Sequence, residues 1–369
     1  MKKYVLSSVM MLLFVQLIFA QKHPDFTITN QIKTTPVKNQ QLTGTCWSFA
    51  TTSYLETEML RLGKPELNLS PMFFVYYAYI DKGYDYVRHH GNFNLSEGGQ
   101  AHDVMNIIRK YGLMPEFAYP GKEYSYPSYH DHSELVKDLH SVAKNAVDGA
   151  KEVLNPTWVL SYKGILNAFL GVPPKEFVYE GKTYTPESFN KEIAGINPDD
   201  YVEFTSYTHH PFYELIDLEL PDNWSHDRYY NVPLDDLMKI MNNALENGYS
   251  VDWDGDVSEK NWDNEKGTAE LRKIDITRIE NTDFQKYRQR TFDNFTTTDD
   301  HLMHITGTAK NKEGKLYYMT KNSWGNDYNK YGGYLYMSED YVKIKTVAFM
   351  VHKDAIPEDI AEKCGIKQQ

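Results

Sequence analysis

The spacing of apolar positions changes part-way along the chain. After Cys46, the residues Trp47, Ala50, Tyr54, Leu55, Met59 and Leu62 recur at close to 3.6-residue intervals, and Gly63 ends the run. That pattern predicts an amphipathic helix with its stop signal. Ser70-Pro71 opens a second, short helical stretch over 68–80, and Val104, Ile107 and Ile108 mark a third that follows Gly98-Gly99 and stops at Gly112. Residues 21–45 read as an extended lead-in broken by Pro24, Pro36 and Gly44. Residues 120–245 are mixed, polar and rich in Tyr and Pro, without a repeat, and only Leu234 to Leu245 stands out there as an amphipathic helix. From about residue 249 the period falls to two. Ser250 to Trp253 alternates, as does His304 to Thr308; Lys315 to Thr320 follows the Lys312-Glu313-Gly314 turn; Tyr334 to Met337 and Thr346 to Val351 give two more strands. Helices early and strands late predict an α+β protein with a helical half and a sheet half.

The first twenty residues stand apart from this pattern. Lys2 and Lys3 precede a mostly apolar run from Val5 to Phe19, and Ala20 supplies a small residue at its end. This is the layout of a secretory signal, too short for a spanning helix. The expectation is a signal peptide over 1–20, a single domain over 21–369, and an exported protein, periplasmic or secreted. No other segment approaches membrane length, so no membrane association is expected after cleavage. The remainder is long enough for a sizeable core, and the whole chain carries 29 Tyr. A net charge of −12 argues against a nucleic-acid partner, because phosphate binding needs a basic surface. Only two cysteines occur, Cys46 and Cys364, so at most one disulfide can contribute and stability must come from the core. Cys364 is expected in a mobile tail.

Cys46 has the more suggestive setting. It opens a predicted helix, where the dipole favours the thiolate that acts as a nucleophile. A cysteine nucleophile needs a base, and position must choose among 13 His. His304 begins His304-Ile305-Thr306-Gly307, which reads as a strand entering the late sheet, and Asn322-Ser323-Trp324-Gly325 follows a hairpin later. His301 is the rival. His304 is preferred because the apolar-then-Gly continuation follows it directly, which leaves His301 on the preceding loop.

The segment Pro36-Val37-Lys38-Asn39-Gln40-Gln41-Leu42-Thr43-Gly44-Thr45-Cys46-Trp47-Ser48-Phe49-Ala50 closely resembles the active-site segment of papain-like cysteine peptidases, and Lys321-Asn322-Ser323-Trp324-Gly325 resembles their Asn-Ser-Trp-Gly motif. The resemblance implies a two-lobed fold, a helical lobe beside an antiparallel β-barrel-like lobe, with the site in the cleft between them. It implies Cys46 as nucleophile, His304 as base, Asn322 orienting the ring, Trp324 shielding that bond, and Gln40 donating to the oxyanion that acyl transfer creates. It implies no metal and no organic cofactor. Two features depart from the papain pattern. The usual first Cys of Cys-Gly-Ser-Cys-Trp is Thr43 here, which removes a disulfide. His304 also stands 258 residues after Cys46, against roughly 130–150 for papain. The extra length places a large insertion over about 121–248, between a mainly helical lobe (21–120) and a β lobe with tail (249–369).

Asn94-Leu95-Ser96-Glu97-Gly98-Gly99-Gln100, Leu113-Met114-Pro115 and Ile356-Pro357-Glu358-Asp359 are similar to bleomycin hydrolase and bacterial aminopeptidase C. That branch implies aminopeptidase action on peptide substrates, a C-terminal tail gating the cleft, and a homo-oligomer, a hexamer in those relatives. Gly98 and Gly99 would let a substrate backbone pair alongside them. The alternatives are a papain-like endopeptidase, or an acyltransferase or binding protein on the same fold. Asp252-Trp253-Asp254-Gly255-Asp256 resembles a calcium loop but lacks its glycine and glutamate positions, and reads as a strand end. His209-His210 and His130-Asp131-His132 read as polar loops rather than metal ligands.

Overall fold

The computed structural model describes residues 25–122 and 129–368; the signal segment read over 1–20 lies outside them. The lead-in contributes a strand, β1 (Phe26–Gln31), before the helical lobe begins. Helix α1 (Cys46–Arg61) is buried from Trp47 through Met59 and forms the centre of that lobe. It lacks a solvent face because helices pack on one side of it and the sheet on the other. Helix α2 (Pro71–Arg88) starts where its sequence says: the Ser70 side chain accepts from the Phe73 N–H, and Pro71 occupies the first turn, where no N–H is needed. It runs well past the short helix predicted over 68–80. Helix α3 (Ala101–Tyr111) opens on a reciprocal cap between Gln100 and Asp103 and ends at Gly112, whose φ of 77° suits glycine.

The mixed stretch is divided between the lobes. Helices α4 (Ser133–Asp148) and α5 (Thr157–Leu170) pack on each other and on α2. A hairpin, β2 (Phe177–Tyr179) and β3 (Lys182–Tyr184), and the turn of helix α6 (Pro186–Phe189) complete that side. The strands β4 (Tyr201–Thr205), β5 (Glu214–Asp217) and β6 (Arg228–Asn231) instead join the main sheet. Helix α7 (Leu234–Glu246) packs against that sheet.

The sheet continues with β7 (Val251–Gly255), β8 (Trp262–Asp263), β9 (Thr268–Ala269), β10 (His301–Asn311), β11 (Leu316–Lys321), β12 (Tyr334–Ser338) and β13 (Thr346–His352). Helices α8 (Lys273–Glu280), α9 (Phe284–Asp293) and α10 (Glu339–Lys345) flank it. Strand order is β5-β6-β4-β13-β7-β10-β11-β12-β9-β8. β10 pairs with β7 along its first half and with β1 along its second. One face of the sheet closes over a core containing Trp253, Met303, Ile305 and Phe349, while Leu302 and Met350 belong to the helical core. The fold is the expected α+β arrangement of two lobes.

The chain ends in α11 (Glu358–Cys364), and this corrects the expectation of a mobile tail. Ile360 and Ala361 are buried in the β-lobe core, Cys364 and Ile366 pack against it, and the Gln368 amide donates to the carbonyls of Lys353 and Ile356 at 2.9 and 2.6 Å. No helix among the described residues is long and apolar enough to cross a membrane.

Candidate active site

Cys46 is the first residue of α1 and faces an open cleft of about 700 Å³ between the lobes. Burial pushes its thiol up to about 12; the N–H groups of Leu302 and Trp47 pull it back, and the carboxylates of Asp299 and Asp254 push it further up. The helix terminus therefore does not by itself hold a thiolate here. The sulfur keeps its proton until a base takes it.

The sequence singled out His304 as the partner of Asn322, but the histidine that meets Asn322 in the cleft is His301. His301 Nε2 donates to Asn322 Oδ1 at 2.8 Å, and the imidazole stacks on Trp324 at 4.8 Å between ring centres. His301, Trp324 and Cys46 line the same cleft. With Nε2–H committed to Asn322, Nδ1 is the nitrogen left to accept a proton. Burial holds His301 down at about 4, opposed by the bond to Asn322. Asn322 Oδ1 also accepts the Ser323 N–H, which fixes the side chain from both directions.

His304 is fully buried beneath α1 and away from this set. Its Nδ1 meets the Ser53 hydroxyl at 2.9 Å, its ring lies edge-on to Tyr54, and Lys321 donates to the same Ser53 hydroxyl at 2.8 Å. Burial, then the Lys321 charge, holds it neutral, well below the usual histidine range. The reason is strand parity. His304 lies directly opposite Lys321 in the β10–β11 pair, and cross-strand partners share a face. Asn322, one residue on, therefore turns to the other face, with the odd-numbered positions of β10.

Backbone pairing from the lead-in brings Gln40 to the same place. The Gln40 N–H donates to Ser323 O at 2.8 Å, and Gly325 N–H to Lys38 O at 3.0 Å. The Gln40 amide gives one N–H to Thr43 O at 2.7 Å and accepts from Ser323 Oγ at 2.6 Å. Gln40 lines the cleft together with Cys46.

Gly98 and Gly99 form one wall of the cleft. Trp47 Nε1 donates to Glu97 O at 2.9 Å, and Glu97 accepts from the Gly44 N–H at 2.6 Å, tying this wall to the segment that carries Cys46. The buried Lys82 ammonium supports it from behind, donating to the carbonyls of Ser96 (3.0 Å) and Gly98. Burial lowers Lys82 to about 8, against the pull of Asp103, Asp222 and Glu97. Sequence reasoning did not single out Asp222. It comes from the loop between β5 and β6, where nothing local marks it, and lies against Gly98. Asn94 Nδ2 and Ser96 Oγ donate to its Oδ1 at 2.8 and 3.2 Å.

Glu97, Asp222, Asp299 and Asp300 all line the cleft, and among the described residues that line it the only nitrogen base is His301. Asp252 and Asp254, from the segment that resembled a calcium loop, are buried on β7. His209 and His210, also read as a polar loop, turn Nε2 toward the exposed Glu219 at 3.1 and 3.0 Å. Burial opposes ionisation of Glu219, but the two imidazole contacts outweigh it and hold the carboxyl below its usual range. None of residues 358–368 lines the cleft, so a tail gating it, as the resemblance implied, is not what this structure has.

A profile of the Peptidase C1-like family matches residues 13–368. Cysteine proteinase 1, mitochondrial, of Saccharomyces cerevisiae (strain ATCC 204508 / S288c) is 26% identical over 375 residues, covering 89% of this chain and 77% of that protein. Aminopeptidase G of Lactobacillus delbrueckii subsp. lactis is 25% identical, covering 90% of this chain and 84% of that protein. Aminopeptidase C of Streptococcus thermophilus is 22% identical, covering 89% and 83%. Among solved structures, PepW from Lactobacillus rhamnosis HN001 superposes with a TM-score of 0.75 at 23% identity, covering 92% of this chain and 84% of that one.

Proposed function

Because the chain belongs to the Peptidase C1-like family, its cleft is that of a cysteine peptidase, and we propose that it removes residues from the amino ends of peptides using Cys46, His301, Asn322 and Gln40. The observation that carries the assignment is the His301–Asn322 hydrogen bond under Trp324, in the cleft that Cys46 enters. His301 Nδ1 takes the thiol proton as Sγ bonds to the scissile carbonyl carbon. The oxygen's negative charge is received by the Gln40 amide and the Cys46 backbone N–H. The C–N bond then breaks, and the proton passes from His301 to the departing amine. Water, deprotonated by His301, attacks the thioester and restores the thiol.

Action at the amino end is supported by relatives named aminopeptidases G, W and C and by the acidic lining, which suits a cationic terminus. The first twenty residues, read as a secretory signal, support work outside the cytoplasm. The test is hydrolysis of paired fluorogenic substrates, one with a free amino end and one acetylated, under reducing conditions with Cys46→Ala as control. Cleavage of the free substrate only, lost in the control, is expected. Equal cleavage of the acetylated one makes this an endopeptidase.

A further inference from the structure

Resting on that reading, we propose that Asp222 is the amino-end stop of this cleft: it blocks further chain beyond Gly98 and pairs with the substrate's terminal ammonium. A substrate strand running along Gly98-Gly99 has to pass the carboxylate of Asp222. A Cβ placed on Gly98 would come within 1.9 Å of Asp222 Oδ2 and 2.4 Å of its Cγ, so the carboxylate occupies the space directly over that glycine. It is not a floppy side chain. Asn94 Nδ2 donates both to Asp222 Oδ1 and to the Pro221 carbonyl, at 2.8 and 2.6 Å, and Ser96 Oγ adds a third contact. The β5–β6 loop is thus clamped to the glycine wall by side chains of that wall itself.

The clamp uses only Oδ1. Oδ2 receives no hydrogen bond from any described residue, and Asp222 forms no ion pair among them. An ordered carboxylate with one satisfied and one open oxygen, facing a substrate cleft, matches an ammonium, which brings several N–H donors and a full positive charge. A second observation lies behind it. Asp254 is 2% exposed, neither of its oxygens has a donor, and burial followed by the neighbouring Asp299 holds its carboxyl well above the usual range. Burial raises Asp299 to about 7, with the Asp222 charge the next contribution. This end of the cleft is lined by carboxyl groups and, among the described residues, by no Lys or Arg, while the buried Lys82 spends its donors on Ser96 and Gly98 carbonyls.

With the chain's own tail docked on the β lobe, this loop supplies the end-stop that the tail does not. The proposal is tested by Asp222→Asn, which keeps the shape and the Asn94 clamp but removes the charge, and Asp222→Ala, which also opens the space. Substrates carry one or two residues before the scissile bond, each free and acetylated, and thermal unfolding is recorded for each variant. For Asp222→Asn, kcat/KM on the preferred free substrate should fall about 10- to 100-fold, mainly through KM. For Asp222→Ala, hydrolysis of acetylated substrates should rise at least tenfold over wild type. If wild type cleaves acetylated substrates as well as free ones, the amino-end reading itself falls. If wild type is restricted to free substrates, and both variants fold and keep its free-to-acetylated ratio and KM, the role of Asp222 alone is overturned.

Discussion

Replacing His301 and His304 one at a time by Gln separates the two histidines that the sequence offers as base. With the thiol pushed up to about 12 by burial, little Cys46 is ionised at pH 7 without help, since each pH unit below the pKa costs a factor of ten. His301→Gln removes the acceptor for that proton, and kcat/KM should drop by about 10⁴, the upper end of what a general base supplies. His304→Gln touches no group of the cleft. It disturbs a buried contact with Ser53 and the ring packing on Tyr54, which should cost about 1–3 kcal/mol of stability and leave kcat/KM within about threefold. The assay is turnover of a free-amino fluorogenic substrate, alongside the pH dependence of iodoacetamide alkylation, both in a Cys364→Ser background so that one thiol is read. In His301→Gln, alkylation should climb tenfold per pH unit through the alkaline range. In the parent, turnover should fail only as pH drops through about 4, where His301 becomes protonated and can no longer accept. A folded His304→Gln enzyme slowed a thousandfold, beside a nearly unimpaired His301→Gln, would refute the assignment.

Three further outcomes are expected. Trp324→Ala should expose the His301–Asn322 bond to water and move the acid limb of kcat/KM upward from about 4 toward 6.5, because burial is what depresses that imidazole. Deleting residues 366–369 should leave the ratio of free to acetylated substrate cleavage unchanged and lower the unfolding temperature, since Ile366 packs on the β-lobe core and Gln368 holds two carbonyls; a relaxed specificity would restore the gating tail. Asp299→Asn should stabilise the fold by about 4 kcal/mol at pH 8.5, measured by urea unfolding, and have little effect near pH 4. The sign follows from a folded-state carboxyl raised to about 7 by burial and Asp222. The folded form gains stability as pH falls from 7 toward the ordinary 3.8, and bears the charge as a cost above 7.

The elements with strong periodicity were legible in the sequence. The cap and stop signals at Ser70-Pro71, Gly63 and Gly112 matched helix ends to within a residue or two, and the late strands fell where alternation put them. Cys46, Gln40 and Asn322 reach one neighbourhood because residues 38–40 pair with 323–325. The histidine was misread because strand β10 begins three residues earlier than its apolar run suggests. At period two, an offset of three puts His301 and His304 on opposite faces. The β10–β11 register, once known, decides between them. Asp222 was illegible for a different reason. Its role depends on the β5–β6 loop meeting Gly98, a contact between distant parts of the chain that no local pattern encodes. The docked C-terminus was missed because α11 is short and its buried apolar residues are few.

The strand β1 also bears on how this protein is made. Thr29 on β1 meets Thr308 on β10 across 279 residues of chain. The nucleophile's helix therefore emerges from the ribosome long before the strand that carries its histidine, and before anything with which β1 can pair. Such non-local closure comes late in folding. A nascent chain holds Cys46 without His301 beside it, so the peptidase stays silent throughout synthesis. Its latency during synthesis is written into the order of its strands.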